Sequence, residues 1–226
     1  MLTDALSRRL FAEALGSLLL TGVVIGSGIL ATRLTPDAGV ALIGNTLATS
    51  AILFVLITSL GGVSGAHFNP AVTLVEALDR KLSVTDAALY IPAQIAGCIA
   101  GAWIAHLMFD LPVFQLATTE RSGAGKMLAE GVATFALVVA IRGALRWRPD
   151  AVAASVALVI AAGYWWTSST SFANPAITLA RALSDTFAGV RLADAPGFIA
   201  AQIAGALLAL GVSRRLFPSE ASRVAQ

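Results

Sequence analysis

The sequence predicts an all-α membrane protein with six transmembrane helices plus two half-length helices that meet at the midplane, built as an inverted repeat. Three observations carry this. The 226 residues are 57% hydrophobic and 12% charged, with mean hydropathy +0.81, where soluble domains carry about 25% charged residues. Two apolar stretches are too short to span a bilayer, and each opens with Asn-Pro-Ala. The chain also repeats a set of short motifs in the same order.

A spanning helix needs about 20 apolar residues. Spans are expected at roughly 10–31, 40–61, 86–109, 127–147, 151–168 and 195–217. The first is too long for a signal-peptide core and has no clear cleavage site, so it reads as a retained span. The stretches 67–79 and 173–185 are about 12 residues each, or about 18 Å as helix, half a bilayer. Arg8, Arg9, Arg80, Lys81, Arg142, Arg146, Arg148, Arg214, Arg215 and Arg223 fall on the side of the termini. Arg33, Arg121, Lys126, Arg181 and Arg191 fall on the other. The excess of basic residues then places both termini in the cytoplasm of a cell (inner or plasma) membrane protein. The polar stretch 110–126 links the halves outside. The tail from Pro218 to Gln226 receives no function.

The repeat is explicit. "FNPAVTL" at 68–74 returns as "ANPAITL" at 173–179, and "AQIAG" at 93–97 returns at 201–205. "AEALG" at 12–16 has a weaker echo, "AEGVA", at 129–133. Each half, about 8–109 and 126–217, carries Glu, Asn-Pro-Ala and Gln in that order within one channel domain, 1–226. Three spans per half give the halves opposite orientation, and such repeats place their site where broken helices meet.

Irregular backbone at membrane depth persists only when buried in protein or lining water. Pro70 and Pro175 suit the first helical position. Asn69 and Asn174 suit the N-cap, with the side-chain oxygen accepting from free helix N–H groups and the amide NH2 left to donate to a passing solute. Ala71 and Ala176 complete the two motifs. Each helix N-terminus carries about half a positive charge, so two facing ends repel cations and orient the oxygen of a neutral solute.

Other residues carry two readings. Glu13 and Glu130 lie within spans, where acids mark proton relays by default, or they accept N–H groups from the loops that lead into the half-helices. Gln94 and Gln202 read as buried hydrogen-bonding groups. His67 reads as a loop-packing residue whose backbone carbonyl faces a pore, and His106 as interfacial. Gly22, Gly26 and Gly28 read as helix-packing contacts. Tyr164, Trp165 and Trp166 read as an interfacial belt, with one of them able to lean into a pore mouth. The run Ser168–Ser171 supplies carbonyls and cap contacts. Cys98 is the lone cysteine, so there is no intramolecular disulfide. A net charge of +2 argues no nucleic-acid partner. No nucleophile–base pair, metal-ligand cluster or phosphate loop is visible, so no enzyme, metal or cofactor is expected.

"GAHFNPAVTL" at 65–74 resembles the first signature of the aquaporin (major intrinsic protein) family, and the resemblance runs over nearly the whole chain. It implies the aquaporin fold, a homotetramer with one pore per subunit, and passage of water and small neutral solutes without proton leak. It also implies that Glu13, Glu130 and His67 support the loops. Most members resemble one another in having an Arg after the second Asn-Pro-Ala; here Ile177 stands there. Counting back from the motifs, the remaining filter positions are Thr49, Ala162 (or, one along, Gly163) and Ser171. Such a ring is wide and half apolar. It resembles that of bacterial aquaglyceroporin-like channels associated with arsenic resistance, which pass arsenite and methylated arsenicals. An ordinary water or glycerol channel is the alternative, and a proton-coupled secondary transporter using Glu13 or Glu130 is a third. Arg181 lies seven residues after Asn174, about 10 Å further along the helix, where Glu76 stands in the first half. It either faces the outer vestibule and attracts oxyanions such as methylarsonate, or pairs with Asp185 or reaches the headgroups.

Overall fold

The computed structural model describes residues 4–217. Arg223 and the expected tail therefore lie outside the described residues, as does the very start of the chain. Helices follow in the order α1 (Asp4–Leu34), α2 (Ala38–Ser64), α3 (Pro70–Leu78), α4 (Val84–Met108), α5 (Ala124–Trp147), α6 (Val152–Trp166), α7 (Pro175–Ala182) and α8 (Ala195–Leu216), with a 3-10 turn at Pro149–Ala151 before α6. Among the described residues there are no strands. Six helices are long and apolar enough to cross a bilayer, with α6 counted together with its 3-10 turn. The chain is a multi-pass membrane protein.

Most long helices run a few residues beyond the expected spans. The half-helices are shorter than expected: α3 has 9 residues and α7 has 8. The remaining residues of each apolar stretch lie in the irregular segments on either side of them.

Packing is closest where the sequence repeats. Helix α4 lies on α1, and α8 lies on α5. A Cβ built on Gly97 would stand 2.2 Å from the Ala14 carbonyl oxygen, and one on Gly101 2.2 Å from that of Leu18. In the second half a Cβ on Gly205 would stand 2.0 Å from the Gly131 oxygen. Gly97 and Gly205 are the same letter of the repeated "AQIAG". Glycine permits backbone-to-backbone contact where lipid offers no hydrophobic force between helices. Gly22, Gly26 and Gly28 do sit at helix contacts, though with looser surroundings, 3.3 Å or more from the nearest atom.

The starts of α1 and α4 lie at one end, tied by Arg9 to Asp86 at 2.9 Å. The end of α8 joins them there through Arg214, which bonds Asp79 at 3.0 Å just after α3. Both ends of the described chain therefore lie on one side. On the other side the 109–123 connection packs over the segment that follows α7. Ala117 N–H donates to Ala182 and Arg191 N–H to Thr119. His106 belongs to this packing. It is fully buried, not interfacial, with ring nitrogens 2.9 Å from the Val113 carbonyl and 2.9 Å from the Ser184 hydroxyl. One partner lies in the connection just after α4 and the other 78 residues away, and neither is an ionisable residue that the sequence would mark as a partner.

Candidate functional site

The two half-helices meet N-terminus to N-terminus. Asn69 and Asn174 have extended backbone and cap them: Asn69 Oδ1 accepts from Ala71 N–H at 2.9 Å, and Asn174 Oδ1 from Ala176 N–H at 3.0 Å and Ile177 N–H at 3.3 Å. Pro70 and Pro175 open the helices, where an N–H would lack an intrahelical partner. Each Asn also reaches across: Asn69 Nδ2 donates to the Ala173 carbonyl at 2.7 Å, and Asn174 Nδ2 to the Phe68 carbonyl at 2.8 Å. One amide hydrogen of each Asn is thus committed to the opposite loop, and only the other is left for a solute. The sequence alone leaves both open to a solute, because the opposite loop is a partner that only the fold supplies.

The loops before the caps are held in matching unusual conformations. Ala66 and Phe68 have φ of 50° and 48°, and Ser171 and Ala173 have φ of 51° and 48°. These are the third and first residues before each Asn. Non-glycine residues in this left-handed region need support from their surroundings. The support comes from the two buried acids. Glu13 accepts from His67 N–H at 3.0 Å, Phe68 N–H at 2.7 Å, Ser64 Oγ at 2.6 Å and Gln94 Nε2 at 2.7 Å. Glu130 accepts from Phe172 N–H and Ala173 N–H, both at 2.9 Å, and from Gln202 Nε2 at 2.6 Å. The two glutamines also tie in the half-helices, Gln94 through Thr73 Oγ1 at 2.8 Å and Gln202 through Thr178 Oγ1 at 2.9 Å. His67 bonds Thr73 through Nδ1 at 3.0 Å and packs edge-on to Tyr90.

Beside this junction runs an elongated cavity of about 1100 Å³ of atom-free space, its open mouths included. One wall is polar: the two capping Asn residues and the backbone of the strained loops. The facing wall is apolar, with Leu20, Val24, Leu53, Ile57, Val156 and Ile160 among its residues. A strip of hydrogen-bonding groups against an aliphatic wall suits a molecule with hydroxyls along one edge and carbon along the other.

Of the residues expected at a filter, Thr49, Ser171 and Ile177 line the cavity, and each is at least 94% buried. Ala162 does not. It lies exposed on the outer lateral face of α6. The inward position belongs to Gly163, where a Cβ would stand 2.5 Å from Ser171 Oγ. The next residue, Tyr164, also faces inward, lines the cavity and places its hydroxyl 3.3 Å from Thr49 Oγ1. The register slips because α6 is apolar on both faces, so sequence gives no phase. Trp165 and Trp166 are exposed and away from the cavity. Ser169 Oγ accepts from Ser171 N–H at 3.3 Å, a cap-like contact within the hydroxyl run.

The ends of the cavity are charged. Glu76 lines one, beside Arg142 at 3.6 Å. Arg142 is itself bonded to Asp79 at 2.7 Å. Arg181 lines the other. It does not pair with Asp185, nor does it reach outward; it is 97% buried. Asp185 is instead engaged by Thr118, whose N–H and hydroxyl donate to it at 2.8 and 2.9 Å and hold its carboxyl below the ordinary carboxylate range. Among the described residues no cluster of metal-binding side chains occurs.

Known proteins resemble this chain in sequence and in fold. The sequence profile described as major intrinsic protein matches residues 2–148. The aquaglyceroporin AqpS of Rhizobium meliloti (strain 1021) is 53% identical over 211 residues, spanning 93% of this chain and 91% of the relative. Aquaporin A of Dictyostelium discoideum is 34% identical over 139 residues, spanning 59% of this chain and 50% of its own length. The X-ray structure of the aquaglyceroporin from Plasmodium falciparum superposes with a TM-score of 0.70 at 18% identity, covering 91% of this chain and 94% of that one, a likeness of fold. With most of the chain matched by the family profile and half its residues shared with a relative end to end, this protein belongs to the major intrinsic protein family, as a membrane channel and not an enzyme.

Proposed function

We propose that the protein is an aquaglyceroporin-type channel with a widened outer constriction. It equilibrates water, glycerol-like polyols, arsenous acid and methylated arsenicals across the cell membrane. The observation that carries the reading is Ile177, buried on the cavity in the place that follows the second Asn-Pro-Ala. An aliphatic side chain there supplies neither the bulk nor the donors of the Arg that the family resemblance puts at this place. Thr49 and Ser171 are small, Gly163 contributes no side chain and Ile177 is apolar; Tyr164 is the bulky neighbour, with its hydroxyl on Thr49 Oγ1 at 3.3 Å. Such a ring strips less water from a bulky neutral solute and has less to discriminate with. Arsenous acid at neutral pH is an uncharged trihydroxyl of glycerol's size, so whatever admits one admits the other. The 53% identity to a relative named as an aquaglyceroporin supports passage of solutes larger than water. On the family resemblance, the assembly is a homotetramer with one conduit per subunit and cytoplasmic termini.

The transporter reading draws no support from the acids it would need. Glu13 and Glu130 are completely buried, stand off the cavity, and have their oxygens taken by N–H and O–H donors. Protonating either would oppose a hydrogen atom to those donors. They read as fixtures of the loops.

The test is light scattering of proteoliposomes under water, glycerol and arsenous acid gradients, for wild type and Ile177→Arg. Wild type passes all three, and the variant keeps water while losing at least tenfold of the glycerol and arsenous acid flux. Passage of water alone by wild type overturns the wide-filter reading and leaves an ordinary water channel. Accumulation of a solute against its gradient would restore the transporter.

A further inference from the structure

Arg181 is the one ionisable residue of α7, and its surroundings are unusual for a buried cation. Its guanidinium carbon lies 3.3 Å from the centroid of the Phe172 ring, a stacked contact. Its Nε donates to the Ala188 carbonyl. Among the described residues its two terminal nitrogens have no hydrogen-bond partner, yet neither is sealed away, and the residue lines the cavity. A second guanidinium, that of Arg121, also lies near Phe172, 5.2 Å from the ring centroid and anchored by its Nε on the Gly189 carbonyl at 2.7 Å.

Among the described residues neither guanidinium makes an ion pair with an acid. The nearby carboxylates are all engaged elsewhere. Asp185 takes Thr118. Asp194 takes Arg121's backbone N–H and the Arg191 side chain. Glu130 takes the loop N–H groups and Gln202. Desolvating a cation without a counter-ion is costly. A stacked aromatic face returns part of that cost while fixing the plane of the guanidinium. What remains is a rigid positive edge, with free N–H donors, turned to the cavity mouth.

The geometry points to Arg181 as the charge-selective residue of this channel, placed one helical turn from Ile177. The four-residue step is about 6 Å along the helix. Charge selection and size selection are then separate: Arg181 repels cations and offers N–H donors to solute oxygens at the mouth, and Ile177 with Thr49 and Ser171 sets the width further in. An isoleucine after the second Asn-Pro-Ala thereby widens the conduit without admitting cations. This rests on the channel reading above, and it assigns a role to a residue that reading does not use.

The experiment measures the ratio of potassium efflux to water flux in proteoliposomes for wild type, Arg181→Met, Arg181→Lys and Ile177→Ala. Wild type moves water with potassium efflux at the protein-free background. Arg181→Met, which fills the space without charge, raises the ratio at least tenfold, and Arg181→Lys brings it back to within threefold of wild type. Ile177→Ala raises glycerol flux relative to water with potassium still at background. Arg181→Met that conducts water with no potassium leak overturns the proposal, and so does Arg181→Lys leaking as much as Met, since charge would not be the cause. If Arg181→Met does not insert, the other two variants decide: a potassium leak in Ile177→Ala shows that width and charge are not separated and overturns it, and none in either supports it. A wild type that moves neither water nor glycerol is a distinct result, the failure of the channel reading itself.

Discussion

Glu130 illustrates how little freedom a single buried residue has at this site. Its two oxygens receive the N–H groups of Phe172 and Ala173 and the amide of Gln202. Ala173 N–H belongs to a residue at φ 48°, and its carbonyl in turn receives Asn69 from the opposite half. One carboxylate therefore holds a strained loop, and that loop holds the partner cap. Replacing Glu130 with Gln swaps an acceptor for an NH2 that faces other donors. Each buried group left unsatisfied costs about 1–3 kcal/mol. Glu130→Gln is expected to lower the midpoint of thermal unfolding in detergent by several degrees and to cut solute flux severalfold. The residual flux should still run down the solute gradient at every pH. Gradient-following flux in wild type that becomes pH-driven in neither protein separates a loop fixture from a proton carrier. A variant with unchanged melting would mean that the loop holds itself.

At the scale of elements, the close helix pairs depend on glycines that the repeat marks. Helix α8 approaches α5 so nearly at Gly205 that a methyl group has no room, whereas a Cβ on Gly211, two turns on, meets nothing within 4 Å. Gly205→Ala must push the helices apart, at about 1–3 kcal/mol or more for overpacking. Gly211→Ala should be neutral or slightly stabilising, since alanine is the better helix former. Melting curves of the two variants side by side check this, and equal curves would show that the pair yields without cost. These glycines were in plain view, as the last letter of a repeated pentapeptide, but their meaning was not, because a repeat says that two places are alike and not what they touch. The order of elements, the half-helices and the Asn-Pro caps were legible for a similar reason: turn chemistry inside an apolar run has few outcomes. Helix α6 was less so. With lipid on one side and an apolar cavity wall on the other, Ala162 and Gly163 carry no sign of which faces in, and only the Ser171 contact distinguishes them. Arg181 and His106 were illegible because each is defined by partners, Phe172, Ala188, Val113 and Ser184, brought near by tertiary folding.

For the whole molecule, the two ends differ in charge, and the difference predicts which mouth meets the outside. Among the described residues, nine Lys and Arg lie at the end shared by the start of α1 and the end of α8, against five at the other, where the 109–123 connection runs. The positive-inside rule predicts the basic end on the cytoplasmic side. On that orientation the Arg181 mouth is expected to face outward and the Glu76 mouth inward. The lone Cys98 makes this easy to check, for it is fully buried and gives a membrane-impermeant maleimide nothing to label. Ser122, exposed in the connection, and Asp150, exposed before α6 and paired only with the equally exposed Arg148, both tolerate cysteine at little cost. Ser122→Cys should label in intact cells. Asp150→Cys should label only after lysis. The reverse pattern would turn the channel over and put Glu76, with Arg142 and Asp79 behind it, at the mouth that selects what enters.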